Sequence, residues 1–168
     1  MKVFSIVARL LTGLILVGEA SGTEILDYSQ AIDLDAEELA EGGMVEAYER
    51  LSGELEKYIP NPAKMEQFIG ETGDRYSVRL LDQHYVIYEP QDLLSDNLWG
   101  YATFALFDAL NRQLSGSGVK LFALNGGNDL SAIILTEEEA ENARKRLKNP
   151  REWPYLPTRE PPWFGEFH

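Results

Sequence analysis

The residues best suited to chemistry are scarce in this chain. It holds two histidines, His84 and His168, and no cysteine. Thiol catalysis, iron–sulfur clusters and cysteine-ligated zinc are thereby excluded. His84 begins a strand-like run with no second histidine near it, and His168 is the last residue, so no multi-histidine ligand set exists. A serine–histidine–acid triad would have to use His84, yet no serine sits in a G-x-S-x-G elbow, and Gly116-Ser117-Gly118 reads as a helix-ending linker. Paired carboxylates need neither histidine nor cysteine, and Glu89, Asp92, Asp96 and Asp129 fall in loops or at strand ends where two could converge. Asp92-Leu93-Leu94-Ser95-Asp96 and Asn125-Gly126-Gly127-Asn128-Asp129 supply oxygens but lack the alternating ligand spacing of a calcium loop, and turn and cap formation accounts for both. The second of these also lacks the lysine and the strand-to-helix setting of a phosphate loop. No cofactor motif is present. Trp99, Trp153 and Tyr155 could form a sugar or peptide platform, or serve as core and strap anchors.

Hydrophobic patterning shows which elements must position these groups. Residues 23–35 lack a period and read as an extended lead-in, and 36–40 favours a helix that Gly42-Gly43 interrupts. Met44, Tyr48, Leu51, Leu55, Tyr58 and Ile59 form a helical stripe with acids opposite, and Pro60-Asn61-Pro62 ends it. After a short segment at 65–69, residues 75–80 and 84–88 alternate as paired strands, with Tyr76, Val78 and Leu80 sharing one face and Tyr85 and Ile87 sharing one face of the partner. A nearly all-round apolar helix follows from Leu98 to Leu114, with Ser95 or Asp96 available to cap it. Residues 121–124 and 130–135 pair around Asn125-Gly126-Gly127-Asn128, whose types suit positive backbone angles. Thr136 and Glu139 form a capping box that opens a helix to about Leu147. The expected fold is α+β in the order α-β-β-α-β-β-α. A mostly antiparallel sheet of about four strands in two hairpins is covered on one face by helices.

The amino terminus reads as a secretory signal: Lys2 and Arg9 flank the start, and an uncharged apolar run of about nine residues, Leu10 to Gly18, follows. That run is shorter than the about 20 residues a membrane span needs. Small residues place cleavage after Ala20 or Gly22, giving residues 1–22 as signal, 23–150 as one domain and 151–168 as a proline- and aromatic-rich strap. Export to a bacterial periplasm or beyond is the expected address. Losing Lys2, Arg9 and Glu19 takes the formal charge from −13 to −14. Such a balance argues against nucleic acid and anionic membrane as partners, because both require a basic face. The acids are concentrated early: Glu24 to Glu56 hold eleven of them against one base, Arg50. That run fits either a solvated helix face or a docking surface for a basic partner.

In its signal, size, acidity and missing catalytic set, the chain resembles the small periplasmic immunity proteins that bacteria raise against envelope-targeting toxins. The resemblance implies a binder without enzymatic activity, one that steers onto a basic toxin and occludes its active cleft. Its expected contact residues are Glu46, Glu49, Glu54 and Glu56 on the acidic helix and Asn125, Asn128 and Asp129 on the hairpin loop. Other readings stay open. They are a peptide- or glycan-binding module using Trp99, Trp153 and Tyr155, a carboxylate-dependent hydrolase, and a structural envelope component.

Overall fold

A computed structural model describes residues 25–95 and 97–160. The segment read as a signal, Asp96, and the chain end with Trp163, Phe164 and His168 lie outside these residues. Among the described residues six strands form two three-stranded antiparallel sheets. In the first, β1 (Ile32–Asp33) pairs with β6 (Ser131–Leu135), which pairs with β5 (Lys120–Leu124). In the second, β2 (Glu66–Ile69) pairs with β3 (Tyr76–Leu80), which pairs with β4 (Gln83–Tyr88). The helices are α1 (Ala36–Ala40), α2 (Met44–Leu55), α3 (Leu98–Gln113) and α4 (Glu137–Arg146). The α+β class and the antiparallel pairing follow the sequence reading; the strand count of about four does not.

The apolar pattern of each sheet explains how it is covered. Strands β3 and β4 alternate, burying Tyr76, Val78, Leu80, Tyr85 and Ile87 while Arg79, His84 and Val86 face outward, so one face of this sheet is solvated. Strands β5 and β6 are continuously apolar, because both of their faces are packed. Leu121, Ala123 and Ala132 join the main core with α1, α2 and α3, while Phe122, Leu124, Ile133 and Leu135 meet Ala140 and Ala143 of α4 and Leu26. The expectation of helices on one face only fails for this sheet, which lies between α3 and α4. Helix α3 is the hub, touching α1, β4 and β5, and Gly100, Ala102, Ala105, Leu106, Ala109 and Leu110 are buried along it.

The two unforeseen strands are short edge pieces. Strand β1 holds two residues within what reads as a lead-in, and β2 holds four that are mostly exposed, so neither displays a period. Ser95 does not cap α3. The N-cap is Asn97, whose own amide donates to Ser95 Oγ at 3.3 Å and whose side chain makes no cap hydrogen bond. At α4 the capping box forms as the residue types require, with Glu139 N donating to Thr136 Oγ1 at 3.2 Å and Thr136 N donating to Glu139 Oε2 at 2.8 Å.

Candidate partner-binding surface

The hairpin loop and the acidic helices meet at α1. Asp35 is the N-cap of α1, its Oδ1 accepting from Glu37 N at 2.8 Å and Glu38 N at 3.2 Å. Asn128 Nδ2 donates to Glu37 Oε2 at 3.0 Å and to Asp35 Oδ2 at 3.4 Å, tying the β5–β6 loop to that cap. Asn125, with φ +57°, turns the chain out of β5, and its carbonyl accepts from the Tyr155 hydroxyl at 2.7 Å. Asn128 and Asp129 are exposed, whereas Asn125 is half-buried. The loop therefore adjoins α1, the short helix before the one on which the acidic contacts were expected.

Helix α1 turns into α2 through Gly42 and Gly43. Gly42 has φ +106°, which only glycine adopts without strain. Gly43 N donates to Glu38 O at 2.9 Å, and a Cβ at Gly43 would stand 2.8 Å from that oxygen and 2.6 Å from Glu38 Cγ. This close turn sets Asp35, Glu37, Glu38, Glu41 and Glu46 around one shallow depression of about 450 Å³. Along α2, Met44, Ala47, Tyr48, Leu51 and Leu55 are buried, leaving Glu46, Glu49 and Glu56 exposed. Glu54 is half-buried and bonds Lys57 at 2.7 Å, and Glu38 pairs with Arg50 at 3.1 Å. Among the described residues no base lies within ion-pairing distance of Glu41, Glu46, Glu49 or Glu56. Like charges held together in this way build a field that reaches beyond direct contact.

The structure thus brings Glu46 together with four acids of the α1 cap and turn, and brings Asn128 to the same cap. It sets Glu56 about 15 Å further along α2, from ten residues of helical rise. Asp129 lines a separate depression with Asp33, Asn125 and Asn128. Asp35, Glu37, Glu38 and Glu41 were visible in the sequence as part of the acidic run. Their convergence depends on the Gly42-Gly43 turn, whose geometry residue types alone do not give.

The remaining candidates have local work. Glu89 and Asp92 cap one 3-10 turn reciprocally, with Glu89 N donating to Asp92 Oδ2 at 3.0 Å. Asp92 also lines a cavity of about 340 Å³ with Val86, Ile87, Ser95, Asn97, Leu98 and Tyr101, away from the depression that holds Asp129. His84 is exposed and meets the Phe68 ring edge-on at 6.3 Å. Trp153 donates from its indole to Leu147 O at 3.0 Å, and Tyr155 is buried and pairs with Ala123 through its backbone. Tyr155 therefore has no face to offer a ligand, which removes it from the platform expected with Trp99 and Trp153. Burial pushes the pKa of the Tyr48, Tyr76, Tyr85 and Tyr155 phenols above the ordinary value, that of Tyr76 to about 12; at Tyr85 the hydrogen bond to Asp108 adds to the effect. Among the described residues no three histidine or acidic side chains converge as metal ligands, and no helix is long and apolar enough to cross a membrane.

No family model, curated protein or solved structure matches this chain.

Proposed function

We propose that this chain is an exported binding protein whose acidic α1–α2 surface docks on a basic protein, and that it acts as an immunity protein by occluding the active site of an envelope-targeting toxin. The observation that carries this reading is the concentration of exposed carboxylates along α1 and α2, of which Glu41, Glu46, Glu49 and Glu56 have no basic partner among the described residues. A one-signed field speeds encounter with an oppositely charged partner and disfavours other partners by repulsion. The β5–β6 loop, held to the same cap by Asn128, adds a projection with exposed Asn128 and Asp129 beside the charged face.

The test is to sequence the genes beside this one and co-express any toxin-like product found there, both proteins directed to the periplasm. Cells carrying this chain are expected to survive, and cells carrying the Glu46→Lys/Glu49→Lys variant to lose that protection. The variant's association rate with the purified toxin should fall at least about tenfold at low salt. Equal death with and without the chain would end the immunity reading.

One feature favours a peptide-binding module instead. Leu94 is 97% exposed and Leu93 46%, in the loop that borders the cavity of Val86, Leu98 and Tyr101. A Leu94→Ser variant that keeps full protection would separate this patch from the toxin contact.

A further inference from the structure

Beside the acidic ridge, α2 forms one wall of a second groove whose chemistry differs from the ridge itself. Val45, Glu49, Ser52 and Glu56 line it, spaced i, i+4, i+7 and i+11, so they form a single stripe of the helix. The opposite wall is the segment from Pro62 to Met65, and Tyr48 lies between the two walls. The floor is apolar: Met65 and Tyr48 are nearly buried, at 7% and 6% exposure, and Val45, Pro62 and Ala63 are half-buried. Its polar atoms are already satisfied. The Tyr48 hydroxyl donates to Ala63 O and accepts from Gln113 Nε2 at 3.3 Å, while Ala63 N donates to Gln113 Oε1 at 2.7 Å. Gln113 thus clamps the far wall to α2 through Tyr48, and the groove is preformed. Its volume of about 270 Å³ falls just below the roughly 300–1,000 Å³ of small-molecule sites, yet it has room for an apolar side chain.

Charge sits along the walls of the groove. Glu49 and Glu56 are seven residues apart, about 10 Å along the helix axis, and neither has a basic partner among the described residues. Lys64 is exposed on the opposite wall and is the single base lining the groove. A ligand that suits this arrangement presents an apolar side chain to the floor and two cations to the α2 rim. It has no cation toward Lys64. An α-helix lying along α2 meets these demands with Arg or Lys at i and i+7 and an apolar residue at i+3 or i+4.

We infer that this groove takes an amphipathic basic helix of the partner protein, with its apolar side chain over Tyr48 and Met65 and its two basic side chains on Glu49 and Glu56. The inference rests on the reading above, that the acidic surface meets a basic protein, and it names the element of that protein which is bound. Two exposed carboxylates contribute modestly on their own. The buried apolar anchor supplies the affinity, and the carboxylates set register and direction.

The probe is a synthetic helical peptide carrying arginines seven residues apart, with leucines at i+3 and i+4, titrated into the whole ¹⁵N-labelled chain. Amide shifts are expected at Val45, Glu49, Ser52, Glu56, Ala63 and Lys64. Replacing the arginines by glutamate, or the leucines by serine, should abolish them. Glu49→Gln/Glu56→Gln, whose amide spectrum reports whether the fold is intact, should weaken binding at least about tenfold. Shifts confined to residues 37–46, or affinity unchanged in the double variant, would overturn the groove while leaving the acidic-surface reading intact. Failure of the peptide to bind while the chain still protects cells from the toxin would overturn the groove alone. Loss of both binding and protection in otherwise folded protein would overturn both.

Discussion

Among the described residues, Leu81 takes a positive φ without being glycine or asparagine. It joins β3 to β4 in a two-residue connection, where Leu80 faces Gln83, and its φ is +54°. A residue with a Cβ loses roughly 1–2 kcal/mol in this left-handed region, a loss that asparagine partly avoids. Leu81 is 55% exposed, so its side chain recovers little of that through packing. Leu81→Asn is therefore expected to stabilise the fold by about 1 kcal/mol, read as a higher urea midpoint at unchanged slope. A midpoint equal to or below the parent's would show that the leucine packs in a way its exposure does not reveal. Asn61 and Asn125 take the same backbone region with residue types suited to it. The contrast marks what was legible at this scale: the Asn125–Gly127 turn could be read from its residues, and the Leu81 turn could not, because leucine does not advertise positive φ.

Among the elements, β5 shows how a sheet edge is closed without another strand. Its outer backbone groups alternate between two partners. The Asn111 side chain brackets Leu121, donating from Nδ2 to Leu121 O at 3.0 Å and accepting from Leu121 N at 2.7 Å. Two residues on, Tyr155 brackets Ala123 with its own backbone, at 2.8 and 2.9 Å. The Asn111 side-chain amide presents an N–H beside its C=O, as one strand residue presents its own N–H and C=O on one edge, so Asn111 substitutes for a strand residue at that point. Asn111→Leu keeps much of the volume and removes both bonds, leaving the N–H and C=O of buried Leu121 unsatisfied. The expected loss is about 2–4 kcal/mol, read as a lower midpoint in urea denaturation. A loss under about 0.5 kcal/mol would mean that water or a neighbouring carbonyl replaces the amide. None of this was readable beforehand, since Asn111 sits mid-helix and its role depends on where α3 crosses β5. The helices and the two hairpins were readable because each repeats its period over enough residues. Strands β1 and β2 are too short to repeat anything.

For the whole molecule, the surplus of acids was plain from composition, but the groove beside them was not, because Met65 and Gln113 reach Tyr48 only through the tertiary fold. The acids do not set the fold's response to alkaline pH; that response comes from buried phenols. Tyr48, Tyr76, Tyr85 and Tyr155 all ionise above the ordinary value of 10.0 in the folded chain, chiefly because burial disfavours the phenolate. Below about pH 10 folded and unfolded chains both hold these protons, and the contribution of the neutral phenols to stability is complete. Above it the unfolded chain releases protons that the folded chain keeps, so stability falls as pH rises. For Tyr76 the fall continues until about pH 12, where the folded group also ionises. Over that window Tyr76 alone gives up on the order of 2–3 kcal/mol, and the other three add to the same slope. Helical circular dichroism and tyrosinate absorbance, followed together from pH 9 to 12, should show these four of the eight tyrosines ionising in step with unfolding. Tyr76→Phe should make the decline shallower even though Met44 N loses its 3.3 Å acceptor and stability at neutral pH drops. Phenolate absorbance that is complete near pH 10 while the helical signal persists would sink this account.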